Sequence, residues 1–234
     1  MNNKIFFFIL YVLFFKTINA KERQHSQIFE ENIKTLQIKA DENNLSNPIL
    51  YLNNMGILKI RFDELSHDVK NYSYKIYHCN ADWTISNISE YEYLDGYNWV
   101  DIEEYEQSIN TTVNYTHYKF NFPNENVKPK ISGNYIINVF ENNNPGKICF
   151  TICFCVVEQL IDIEALVRTN TDAGIRNKYQ QIDFDVITKK YTITDPLSEI
   201  KVYIRQNERT DNEVSNIKPS FLSNNKLSYT NNQA

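Results

Sequence analysis

The sequence predicts an all-β protein of immunoglobulin-like β-sandwich type, and three features carry that expectation. Apolar and polar residues alternate with period two over several short runs, the mark of strands with one buried and one wet face. Tyr (16) and Phe (14) are abundant while Gly (5) and Pro (6) are scarce, a composition suited to aromatic-rich strands. Asn recurs between the runs, where its side chain can bond nearby backbone at turns, and no stretch has the periodicity of a long amphipathic helix.

The first segment is a targeting signal. Lys4 precedes the apolar run "IFFFILYVLFF" from Ile5 to Phe15, and "KTINA" ends at the small residue Ala20. This reads as a secretory signal peptide over residues 1–20, too short to span a bilayer, with the mature chain starting at Lys21. No Cys follows the cleavage point, and no later stretch reaches the roughly 18 apolar residues of a membrane helix. The expected product is exported and not membrane-spanning.

The strands follow in order. Leu58, Ile60 and Phe62 oppose Lys59 and Arg61; Tyr72, Tyr74 and Ile76 oppose Ser73 and Lys75; Tyr118, Phe120 and Phe122 oppose Lys119 and Asn121. The turn "NNNPG" (Asn142 to Gly146) joins "NYIINVFE" to "KICFTICFCVVE" as a hairpin. The latter run is apolar on both faces, as a central strand is. Beyond Glu158 come "QLIDIEALV", the polar stretch "RTNTDAGIRNK", a run with Ile182, Phe184 and Val186 against Asp183 and Asp185, and another with Ile200, Val202 and Ile204 against Lys201 and Arg205. The predicted organisation is one complete sandwich over residues 21–158 and the start of a second over 159–234. Its four or so strands fall short of the roughly seven of such a sandwich, so the second domain is expected to be truncated.

Two stretches draw attention as candidate sites. Between Trp83 and Gln107 the chain holds seven acidic residues and no Lys or Arg; it reads as a long solvated loop or as a contact for a basic partner surface or a cation. Its spacing does not match a calcium loop. Aromatics are enriched at interfaces, so Tyr91, Tyr93, Asp95, Tyr97, Trp99 and Asp101 are the candidate partner contacts. The second stretch, "YSYKIYHCNADW", crowds His78, Cys79, Asn80, Asp82 and Trp83 together. A His78–Cys79 catalytic pair is disfavoured because neighbours on a strand point to opposite faces. His78, Asn80, Asp82 and Trp83 are expected instead to form a structural corner, the polar groups bonding nearby backbone and Trp83 pinning the following loop.

The remaining chemistry is mostly excluded. Cys79, Cys149, Cys153 and Cys155 are too few for a disulfide scaffold, and no metal-ligand spacing occurs. Cys153 and Cys155, two apart on one strand face, are not expected to bridge each other; small buried side chains are the simpler reading, with a bridge from Cys79 to another cysteine left open. There is no Gly-x-Ser-x-Gly, no His-Glu-x-x-His and no phosphate-binding glycine loop. A net charge of -5 and an export signal argue against nucleic acid. A binding protein without cofactor, metal or small-molecule substrate remains, although a hydrolase using Asp95 or Asp101 is a third reading.

Several ordered motifs then carry a resemblance: "HCNADW" (His78 to Trp83), "EYLDGYN" (Glu92 to Asn98), "YTHYKFNFPNENVKPKISGNYIINVF" (Tyr115 to Phe140), "QQIDF" (Gln180 to Phe184) and "QNERTDN" (Gln206 to Asn212). Together they resemble the plug protein family of the Bacteroidota type IX secretion system. The resemblance implies an exported, all-β periplasmic protein that docks on the periplasmic end of the outer-membrane translocon barrel and closes its pore when no cargo is in transit. Family members are longer and continue past a segment like "LSYTNNQA". Where they carry Thr-Arg-Arg-Phe-Met this chain has Thr151 to Cys155, and where they carry Arg-Trp-Asp-Asn it has Arg209, Thr210, Asp211 and Asn212. Two arginines and a tryptophan, residue types that often anchor interfaces, are thus replaced. The alternative is an exported immunoglobulin-like module that binds carbohydrate or protein.

Overall fold

The computed structural model describes residues 23–40, 48–66, 68–169, 180–207, 211–223 and 225–230. The signal segment, most of the polar stretch after Val167, and Arg209 and Thr210 of the motif at Gln206 lie outside them. The strands of the first lobe are β1 (Gln27–Ile28), β2 (Ile33–Lys39), β3 (Ile49–Tyr51), β4 (Leu58–Glu64), β5 (Tyr72–Cys79), β6 (Leu94–Gly96), β7 (Val100–Ile102), β8 (Glu104–Gln107), β9 (Thr116–Phe122), β10 (Val127–Pro129), β11 (Gly133–Glu141) and β12 (Ile148–Val157), with a one-turn helix α1 (Glu90–Tyr93) before β6.

Two sheets face each other. One runs β1-β12-β11-β5-β7, with β3 pairing parallel to β12; the other runs β2-β4-β9-β8 and is antiparallel throughout. The alternating runs supply the packed layer between them. Leu58, Ile60, Phe62, Tyr118 and Phe122 from one sheet are buried against Tyr72, Tyr74, Ile76, Ile137, Phe150 and Phe154 from the other. Ring contacts cross the layer at 4.8 Å between Phe62 and Phe150 and 5.2 Å between Phe122 and Phe154. Each such side chain removed from water stabilises the fold by about 1.5–3 kcal/mol.

The apolar run at 148–157 is central as its two apolar faces require. β12 lies between β11 on one edge and β1 with β3 on the other. Phe150, Ile152 and Phe154 face the main core, while Cys153 and Cys155 lie beside a smaller outer cluster of Cys79, Trp83 and Ile136. None of the four cysteines is disulfide-bonded. Burial pushes the Cys149 thiol up to about 11 and the Cys153 thiol up to about 12, so both stay protonated and behave as small apolar groups.

Beyond Glu158 the chain forms β13 (Asp162–Arg168), β14 (Gln181–Ile187), α2 (Pro196–Glu199), β15 (Tyr203–Ile204), β16 (Val214–Ser215), β17 (Phe221–Ser223) and β18 (Lys226–Tyr229). A sheet ordered β13-β14-β18-β17 has its own cluster of Phe184, Val186, Leu227 and Tyr229, with the Phe184 and Tyr229 rings stacked at 4.5 Å. The expected strand over Ile200 to Arg205 is corrected here. Asp195 caps α2 by accepting from the Leu197 N–H at 3.2 Å, with Pro196 just inside the helix, a combination that starts a helix rather than a strand. The helical turn ends at Glu199 and Ile200 is already extended, but in the run after it only Tyr203 and Ile204 pair as a strand, with Ser215 and Val214. Ile200, Val202 and Ile204 pack on the cluster, so the alternation located the right face but too long a strand.

Candidate functional site at the open edge of the sandwich

The acidic segment after Trp83 is folded, which corrects the solvated-loop expectation. The Ser89 N–H donates to the Glu92 carboxylate at 2.7 Å, the reach-back bond of a capping box, and starts α1. Tyr93 is only 4% exposed, and its hydroxyl donates to the Ile76 carbonyl at 3.1 Å. It is therefore unavailable as a partner contact, because a ring one turn into a core-facing helix is drawn under the sheet. Leu94, Val100 and Ile102 are buried with it.

Gly96 then lets the chain turn against its neighbour. It sits at φ +108, and a Cβ there would lie 1.9 Å from the Asn126 carbonyl oxygen, so only glycine permits the pairing of β6 with β10. From Val100 the chain pairs with β5 as β7, and from Glu104 it pairs with β9 as β8. Within these few residues it passes from the edge of one sheet to the edge of the other.

This crossing leaves a cleft of about 570 Å3. Its floor contains Tyr74 and Phe120, whose rings stack at 4.8 Å. Tyr97 and Trp99 line it on one side, and Asp101, Glu103 and Glu125 contribute carboxylates. Trp99 stacks on Phe140 at 5.9 Å, and the Lys75 ammonium lies 5.4 Å from the indole centre. Of the sequence candidates the cleft unites Tyr97, Trp99 and Asp101. Tyr91 is 78% exposed elsewhere, its carbonyl accepting from Lys130 Nζ at 2.6 Å, and Asp95 pairs with Lys128 at 3.2 Å. Phe120, Asn124 and Glu125 were missed, since the parity of β9 marks Phe120 only as core and the turn after it carries no chemical signature.

The second candidate stretch folds back at the end of β5. Asn80 N–H donates to the Thr84 carbonyl at 2.8 Å and the Trp83 N–H to the Asn80 carbonyl at 2.9 Å. The Asp82 carboxylate accepts from the Thr84 N–H at 3.0 Å and its hydroxyl at 2.7 Å, bonds that hold its carboxyl below the ordinary value. Trp83, at φ +65, is buried with Cys79 and Ile136. His78 lies on the opposite face, its ring 5.1 Å from Tyr135 and 5.9 Å from Tyr93. Its Nδ1 is 2.9 Å from Ser86 Oγ and its Nε2 3.3 Å from the Ser132 carbonyl, and burial lowers its pKa. The imidazole and the Cys79 thiol are thus on opposite faces of the sheet and cannot act as base and nucleophile. Among the described residues no group of three or more His, Cys, Asp or Glu is placed to hold a metal ion, and no helix is long and apolar enough to cross a membrane.

The family model described as "Type 9 secretion system plug protein 1st domain" matches residues 33–158, more than half of the chain. A crystal structure of a hypothetical protein from Parabacteroides merdae is similar over 89% of this chain, at 37% identity and a TM-score of 0.86. The chain spans 53% of that protein's length. A DNA glycosylase from Pseudomonas fluorescens, AlkC, aligns at 10% identity with a TM-score of 0.30, too low to bear on the fold. No match was found among curated proteins.

Proposed function

From the premise that the chain belongs to the type IX secretion system plug protein family, we propose that it is an exported, non-enzymatic component that caps the periplasmic end of the outer-membrane translocon. The family match over residues 33–158 is the observation that carries this reading. The first sandwich is the plug domain, residues 21–158, and residues 159–234 belong to a second. Residues 1–20 serve as the signal peptide and deliver the chain to the periplasm. Plugging needs no bond chemistry: a ligand shifts a channel between states only through its differential affinity for them. The required property is tighter binding to the empty barrel than to the cargo-loaded one, and a rigid sandwich presenting a shaped edge is suited to supply it. Tyr97, Trp99 and Asp101 at the open edge are the proposed contact face, and Tyr91 and Asp95, which lie outside the cleft, are further candidate contacts.

The test is made in a host that carries the type IX system. The expected results are co-purification of the mature protein with detergent-solubilised translocon and leakage of a small dye across the outer membrane when its gene is deleted. A protein that stays unbound and whose deletion leaves permeability unchanged is not a plug.

A further inference from the structure

The cleft between the sheet edges has the chemistry of a cation-recognising groove. β7 ends its sheet beside β5, β8 ends the other beside β9, and among the described residues neither has a further strand on its outer side. An open strand edge accepts an extended chain. The volume of about 570 Å3 falls within the range of roughly 300–1,000 Å3 usual for ligand sites.

The charge facing an occupant is negative. Asp101, Glu103 and Glu125 in the lining make no salt bridge among the described residues, whereas the lining's Lys119 is held by Glu106 at 2.9 Å and by Glu104 at 3.8 Å. Tyr97 is 83% exposed. Aromatic faces beside carboxylates favour guanidinium and ammonium groups, the ring by its quadrupole and the carboxylate by charge-assisted hydrogen bonds. Trp99 is already partnered within the chain by Phe140 and Lys75, so Tyr97 is the aromatic face offered to an occupant.

We propose that the cleft docks an extended, arginine- or lysine-bearing segment of a polypeptide partner, laid along β7 with a cationic side chain between Tyr97 and the carboxylates. This rests on the reading that the protein works by holding another polypeptide, and it names the chemistry of the segment held.

The test uses the purified chain with Trp83→Phe, so that Trp99 is the sole indole reporter, since the sequence holds two tryptophans. The probes are a nine-residue peptide alternating Arg with Val or Thr, the same peptide with Glu replacing Arg, and maltohexaose. The Arg peptide is expected to change Trp99 fluorescence saturably, with affinity falling as salt rises. Combining Asp101→Asn, Glu103→Gln and Glu125→Gln is expected to weaken it at least tenfold, and Tyr97→Ala several-fold, with melting temperatures unchanged. Undiminished binding by the triple variant, equal binding of the Glu peptide, or binding of maltohexaose alone overturns the proposal. No translocon is present in this measurement, so peptide binding without translocon co-purification overturns the plug reading and leaves the cleft standing.

Discussion

The carboxamide of Asn98 pairs with both backbone groups of Ile76: its Oδ1 accepts from the Ile76 N–H at 2.7 Å, and its Nδ2 donates to the Ile76 carbonyl at 2.8 Å. Tyr74 pairs with Val100 across β5 and β7, so Asn98 continues that ladder by one step with a side chain in place of a strand. The chain is thereby freed to turn into the cleft wall at Trp99 without leaving buried backbone groups unpaired.

Asn98→Ala is therefore expected to destabilise the first sandwich. Removing the carboxamide orphans a buried N–H and weakens the satisfaction of a buried carbonyl, at about 1–3 kcal/mol for an unsatisfied group. Tyr93 still donates to the same carbonyl, so the N–H dominates the loss. Urea unfolding of the variant should show a lower midpoint by that amount, with an unchanged slope. An unaltered midpoint would show that water replaces the carboxamide.

His78 gives the fold an acid sensitivity. A Cβ at Gly133 would lie 2.2 Å from its Nε2, so the imidazole is packed onto bare backbone. The titratable groups facing it, Tyr93 and Tyr135, have pKa values raised by burial and offer no anion. Because the folded pKa lies below the ordinary 6.5, the unfolded chain binds a proton that the folded one refuses, and stability rises with pH in that interval. The contribution is complete above pH 6.5 or so and is lost as pH falls through the folded value. Thermal melts at pH 7.5 and 5.5 should differ more for the parent than for His78→Gln. Equal differences in both proteins would remove His78 as the cause.

How much of this was legible depends on whether a residue's neighbours are local. Leu58, Ile60 and Phe62, or Tyr118 and Phe122, declare their buried face through period two because the pleat alone sets it. Asp82 and Thr84 likewise meet within two residues. The cleft was only half legible. Tyr97, Trp99 and Asp101 stand out by composition, but Phe120 and Glu125 join them only through strand pairing that spans tens of residues. Tyr93 shows the converse error: an aromatic among acids looks exposed, and only the capping bond from Ser89 to Glu92 and the turn it starts carry it into the core. Asn98 gave no signal at all, since Asn is common throughout this chain.

Arg23 and Glu213 join the two lobes. The guanidinium makes paired bonds of 2.9 and 2.8 Å to the carboxylate, and Arg205 Nε adds a third at 2.5 Å. These bonds hold the Glu213 carboxyl below its ordinary value. Gln24, next in the chain, donates to the Trp83 carbonyl at 2.9 Å, so the contact ties the second lobe to the corner of the first. Glu213→Gln should cost about 1–2 kcal/mol of docking, the range of a charge-assisted bond discounted for partial exposure. Hydrogen exchange should quicken at residues 23–28, 203–207 and 211–215 but not in β4 or β9. Uniform or absent acceleration would mean that the ion pair does not hold the lobes together.

The last prediction concerns β13. Its register places Ile163 opposite Val186 and Val167 opposite Ile182, so these side chains share the face on which Val186 is buried. Yet Ile163 and Val167 are 63% and 58% exposed, against 2% for Val186. Among the described residues Ile200, Val202, Ile204 and Ile217 pack on the inner strands of this face and none covers the β13 edge. Adjacent exposed apolar residues on an edge strand are an aggregation hazard. The 234-residue chain should therefore bind an environment-sensitive apolar dye and self-associate at high concentration. Ile163→Thr with Val167→Thr should reduce both while lowering the melting temperature little, because exposed positions lose scarcely any burial. A large drop in melting temperature, with dye binding unchanged, would show that β13 is covered in solution.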